Sequence, residues 1–199
     1  MAKKKRIRNT TVYCATEGHD EAAFLEHLKR IYVSDTDKIV FPDNPIKGGN
    51  GDHIVGFALK NCSYDRSFAW VDEDVDLSEN TRMALAESWG ANIASIKNCP
   101  LKDIQKNHNP NNKKPVLIVS NPVCFESFLL LVLGKKLTYE VYDPQKREEQ
   151  IRNLKSAVSG VFGRTKSIDY YKKHLSKEIL EERRKNIPEL DMLIKIIAK

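Results

Sequence analysis

The residues best suited to chemistry are acidic and fall in two places. One is Asp72-Glu73-Asp74-Val75-Asp76, directly after the apolar run Ser67-Phe68-Ala69-Trp70-Val71; the other is Glu17, directly after residues 9–16. In extended chain, side chains alternate with a period of two, so Asp72, Asp74 and Asp76 are expected on one side. Carboxylates held close repel one another unless a cation joins them, and all-oxygen ligand sets suit Mg²⁺ or Mn²⁺. Two such ions can stabilise both the attacking and the leaving oxygen in phosphodiester cleavage. The rival reading of the same residues is a solvated acidic turn.

The elements that must position these acids can be read from pattern. Residues 9–16 are β-branched, aromatic or small and form a candidate strand; Glu17-Gly18 breaks it. Ala22, Ala23, Leu25, Leu28 and Ile31 recur at helical spacing from His19 to Tyr32. Lys38 to Phe41 is a second strand, Ile54 to Asn61 a helix, and Ser67 to Val71 a central strand. Ser78 is placed to cap a helix ending near Trp89, and Asn92 to Ile96 is a further strand candidate. Residues 105–115 are polar without periodicity and are expected to be loop. Val116 to Val119 is a strand, and an apolar helix from about Val123 to Leu133 follows Ser120-Asn121-Pro122. This alternation predicts an α/β fold over residues 1–140: a parallel sheet of about four strands with helices on both faces. Residues 141–199 are charged and helix-prone, a helical extension expected to pack on the sheet. Ligands of such sheets bind beyond the carboxyl ends of the strands, which is where Glu17 and Asp72–Asp76 fall.

Composition narrows the classes. The chain has 199 residues, 41% hydrophobic and 30% charged, which supports one packed core and excludes a disordered chain. The longest apolar stretch, Phe128 to Leu133, falls far short of the roughly 18 residues needed to span a bilayer. No apolar segment follows the basic N-terminus, so no secretory leader, no membrane partner and a cytoplasmic location are expected. Cys14, Cys62, Cys99 and Cys124 form no C-x-x-C pair, as a zinc site usually would, and are expected to be reduced thiols. The net charge of +6 permits nucleic-acid binding. Lys3, Lys4, Lys5, Arg6 and Arg8 form either a solvated terminus or a backbone-contacting arm.

Strand, Glu-Gly, helix and a later strand ending in Asp-x-Asp resembles the toprim domain of topoisomerases, bacterial primases, M5 maturases and OLD-type nucleases. Further motifs resemble the RloB-like branch. These are Glu17-Gly18-His19-Asp20-Glu21, the glycine loop Gly48-Gly49-Asn50 and, most specifically, Ser120-Asn121-Pro122-Val123-Cys124-Phe125-Glu126. The resemblance covers about residues 10–135. It implies that Glu17 is a general acid/base or metal ligand and that Asp72 and Asp74 are a metal-binding pair. It makes Asp76 a third acid and Glu21 a second acid of the opening motif. Glu126 would hold metal or cap its helix. Glu73 stands where many of the family carry a basic residue, and is expected to face away from the site.

Other constellations are weaker. Gly48-Gly49-Asn50-Gly51 could cradle a phosphate or be a plain loop; it lacks the Gly-Lys-Ser/Thr ending of a Walker loop. Gly160 to Ser167 looks like a helix linker in which Arg164 and Lys166 are candidate nucleic-acid contacts, together with Lys47. Lys113 and Lys114, before the fourth strand, are surface charges at the end away from the acids. The histidines show no H-E-x-x-H spacing, although His19 lies near Glu17. The resulting expectation is a Mg²⁺- or Mn²⁺-dependent toprim nuclease acting on DNA or RNA, tRNA included, in anti-phage defence. The alternatives are a partner-activated or non-catalytic module working with a separate ATPase, and an RNA-processing enzyme similar to M5 maturases. Self-association is compatible with each.

Overall fold

The computed structural model describes residues 10–33, 38–40, 50–108, 114–139, 141–162 and 168–198. The basic residues 3–8, Lys47, Gly48, Gly49, Lys113, Arg164 and Lys166 lie outside them.

Three strands, β1 (Thr11–Thr16), β3 (Arg66–Asp72) and β4 (Val116–Ser120), run parallel, and the short β2 (Lys38–Val40) extends them. The order is β2-β1-β3-β4. In register, Thr16 lies beside Trp70 and Asp72 beside Ser120. The carboxyl ends of β1, β3 and β4 therefore finish together.

The pleat divides each strand between two apolar layers. Val12, Cys14, Phe68, Trp70 and Ile118 enter one; Tyr13, Ala15, Ala69, Val71, Leu117 and Val119 enter the other. The second layer is covered by α2 (Gly51–Lys60), α3 (Glu79–Trp89), α4 (Ala94–Lys97) and α5 (Leu101–His108). The first is covered by α1 (His19–Tyr32) and α6 (Phe125–Val132). The C-terminal helices α7 (Arg147–Phe162), α8 (Ile168–His174), α9 (Lys177–Arg183) and α10 (Pro188–Ile197) join that same layer. Leu154, Val158, Tyr171, Leu180, Leu190 and Leu193 are buried in it, so the extension completes the core. Phe24 of α1 makes edge-on contacts with Phe128 and Tyr171, both at 5.5 Å. No described helix is long and apolar enough to cross a membrane.

Two local expectations fail. Residues 92–96 are not a strand: the Asn92 side chain accepts the Ala94 N–H at 3.0 Å in a turn just ahead of α4, so local side-chain-to-backbone bonding outweighs the β-branched composition. Residues 105–108 are not loop but the end of α5, anchored by buried Leu101 and Ile104. Gln105 on α5 is buried; its Oε1 accepts the Val119 N–H of edge strand β4, and its Nε2 donates to Glu189 Oε1 of α10 at 3.3 Å. A backbone donor on the open sheet edge is thereby satisfied. Ser78 caps α3 as its position predicts, accepting the Thr81 N–H.

Candidate active site

Glu17 follows β1, and its Oε1 accepts the Asp72 N–H at 3.3 Å, joining the ends of the two central strands. Glu21 sits in the first turn of α1 and is buried, its carboxylate accepting its own N–H. A Cβ on Gly18 would come within 2.9 Å of Glu21 Oε2, so glycine leaves room for that carboxylate. Glu126 is buried in the first turn of α6, beyond β4. Negative charge there is favoured by the helix dipole.

Asp72 to Val75 is a turn, closed by Val75 N–H donating to Asp72 O at 3.3 Å. The expected extended alternation of Asp72, Asp74 and Asp76 is therefore absent. Asp76 leaves the cluster: its side chain is 97% exposed and lies 3.6 Å from Arg82. Arg82 is itself buried and structural, donating to the Leu77, Ile96 and Cys99 carbonyls. Asp74 stays, only 5% exposed, in a 2.7 Å ion pair with Arg147 at the start of α7. Glu73 has a structural task. It accepts the Val123 N–H at 3.1 Å and pairs with Lys102 at 3.0 Å.

The segment after β4 holds this turn. Glu73 N–H donates to Ser120 O and Asp74 N–H to Val123 O, each at 3.2 Å. Val123 has φ +74°, a left-handed conformation that β-branched residues resist, costing on the order of 1–3 kcal/mol. Both its amide groups are bonded to the acidic turn. The strained residue thus locks the β3 and β4 ends together.

Electrostatics show which acids converge. Burial, reinforced by Asp74 and Glu126, pushes the Glu17 carboxyl up to about 7, against the Asp72 N–H and Arg147. Burial, then Glu17, Glu126 and Asp20, pushes Glu21 to about 7. Asp72 is raised well above the carboxylate range by burial first, then by Glu17, Glu21, Asp74 and Glu126. Asp74 is raised by burial although Arg147 opposes it. The buried Cys124 thiol is raised by burial and then by Glu126 and Asp72. Glu17, Glu21 and Asp72 are thus each acted on by other acids at these strand ends, Glu126 among them.

The donors are hard carboxylate oxygens, chemistry that suits a divalent cation such as Mg²⁺. Among the described residues, however, no three His, Cys, Asp or Glu side chains stand in metal-ligating arrangement. The cation on Asp74 is Arg147 instead. Arg147, Lys155 and Tyr142, which also act on or respond to Asp74, were not singled out from sequence. Nothing distinguishes them there from the other charged and aromatic residues of the tail. His19 is exposed at the start of α1. Asn50 caps α2 by accepting the Asp52 N–H at 3.0 Å, and Gly51 packs against Val75 and Leu77 behind the acidic turn. Lys114, expected to be a plain surface charge, donates to the Cys62 and Tyr64 carbonyls. Comparison with protein-family models, curated proteins and solved structures finds no match for this chain.

Proposed function

We propose that the protein is a divalent-metal-dependent nuclease with a toprim-like catalytic sheet. The carrying observation is the gathering of Glu17, Glu21, Asp72, Asp74 and Glu126 around the carboxyl ends of parallel strands, where Glu17, Glu21 and Asp72 are each raised by burial and by neighbouring acids. Carboxylates crowded in this way are relieved either by protonation or by a cation. Asp72, Asp74 and Glu17 would hold Mg²⁺ or Mn²⁺, with Glu21 and Glu126 as further donors. A bound ion would supply charge stabilisation at the phosphodiester. Glu17, with its carboxyl near 7, is poised to accept and return a proton at neutral pH. Arg147 must yield Asp74 for ion binding, and once released it can face the phosphate. Work in anti-phage defence beside a separate ATPase extends this reading by resemblance alone.

The test is cleavage of labelled plasmid DNA and total tRNA with Mg²⁺, Mn²⁺ or EDTA, comparing the protein with Asp72→Asn. Metal-dependent cutting that falls by at least about 100-fold in the variant is expected. Equal cutting by the variant overturns the assignment. No cutting by either protein in any lane favours the partner-activated module.

A further inference from the structure

A cavity of about 520 Å³ opens against the segment that follows β4, and three cations, Lys135, Lys136 and Arg183, stand in its wall. Asn121, Lys135, Lys136, Arg183 and Asn186 line it, with Glu189 at the back. Asn121 belongs to the segment between Ser120 and Val123, both of which are bonded to the Asp72–Val75 turn. One segment at the carboxyl end of β4 thus both lines the cavity and holds the acidic turn.

The cations are placed by the backbone. Gly134 ends α6 with φ +71°, and its N–H donates to Leu131 O at 2.8 Å while Lys135 N–H donates to Leu130 O at 2.9 Å. This is a Schellman end, for which glycine is the favoured residue. It aims the chain outward just where Lys135 and Lys136 follow, both exposed. A Cβ at position 134 would overlap the Arg183 guanidinium, so the same glycine seats that arginine. Arg183 keeps unspent capacity. Its Nε is buried without a hydrogen-bond partner, and its one ion-pair contact among the described residues is Glu182 at 3.6 Å. Glu189, the acid in the wall, has its Oε1 turned to Gln105, and burial pushes its carboxyl toward the neutral form.

We infer that this cavity binds the phosphodiester backbone of a nucleic acid, with Lys135, Lys136 and Arg183 as the phosphate contacts. A guanidinium fork with two ammonium groups suits phosphate oxygens, and asparagines add neutral donors. The inference rests on the nuclease reading for its purpose but not for its test.

The experiment is fluorescence-anisotropy binding of labelled single-stranded RNA and DNA oligonucleotides in EDTA, where cutting is off. Lys135→Gln/Lys136→Gln changes only exposed side chains and is not expected to disturb folding; Arg183→Lys keeps the charge but removes the fork. A control, Lys29→Gln/Lys60→Gln, removes equal charge from the last turns of α1 and α2, at the far end of the sheet. Affinity is expected to fall about tenfold in the double cavity variant, with a salt slope lower by roughly 1–2, and to stay near wild type in the control. Arg183→Lys should weaken binding without changing the slope. Unchanged affinity and slope in the cavity variants overturn the proposal, as does binding of inorganic phosphate or a nucleoside monophosphate with none of oligonucleotides. Cavity-dependent binding without cleavage under Mg²⁺ leaves this site standing and replaces the self-sufficient nuclease by the partner-activated module. Cleavage with binding indifferent to the cavity does the reverse.

Discussion

Glu21 shows how one side chain can report on the whole acidic centre. The residue is 8% exposed and its carboxyl is raised from 4.5 to about 7, so the folded state holds a proton that the unfolded chain has released between those values. The protonated acid's contribution to stability is complete below about 4.5 and is lost as pH rises through 7. At about 1.4 kcal/mol per pH unit this is on the order of 3 kcal/mol, shared with the other acids because they titrate together. His27 acts oppositely: burial lowers its pKa, so its contribution is lost as pH falls below 6.5. Comparison with Glu21→Gln cancels that background. Thermal melts without metal are expected to show Tm falling from pH 5 to pH 8, with a flatter profile and a higher Tm at pH 8 for the variant. Superimposable profiles would refute the electrostatic account. At this scale the sequence was partly legible. The placement of Glu17, Asp72 and Asp74 at or just beyond strand ends is readable from the apolar runs that precede them. Asp76 misleads because a turn, closed by one backbone hydrogen bond, replaces the extended chain that alternation assumes.

Among the elements, the bounds of α1 follow from its apolar spacing, and α3 from its Ser78 cap. The failures are short. α4 spans only Ala94–Lys97, and α5 offers two core residues in one turn before its polar end, too little for a period to show. The junction of α2 with the acidic turn depends on a close approach that composition cannot reveal. A Cβ on Gly51 would overlap Val75 Cγ1 and come within 2.9 Å of Leu77 Cδ2. Both neighbours are branched and packed against the core. Gly51→Ala is therefore expected to destabilise the fold by about 1–3 kcal/mol and to shift the turn carrying Asp74. Chemical denaturation measures the first effect, and metal-dependent melting the second. A variant as stable as the parent would show that the loop yields freely.

For the whole molecule, the C-terminal helices serve the site as well as the core. Arg147 reaches Asp74 from α7, and Lys155 on the same helix adds to its field. Their charge occupies the position a divalent ion would compete for. Arg147→Gln is expected to raise Mn²⁺ affinity about tenfold, read by titration calorimetry. Equal or weaker binding would mean that Arg147 supports the site rather than guarding it. This pairing was hidden in sequence because it joins residues 73 positions apart and obeys no periodicity.

The same arrangement imposes an order of events on synthesis. Every acid of the centre lies at or before Glu126, whereas Arg147 and the helices that close this apolar layer lie after it. As the chain emerges from its N-terminus, its negative charges gather before the guanidinium that moderates them exists. The half-made sheet also presents Phe24, Trp70 and Phe128 without their cover. Until the tail arrives, the nascent chain exposes apolar surface and carries its crowded carboxylates without Arg147. Emergence of α7 is thus also the step that gives Asp74 its resident counter-charge.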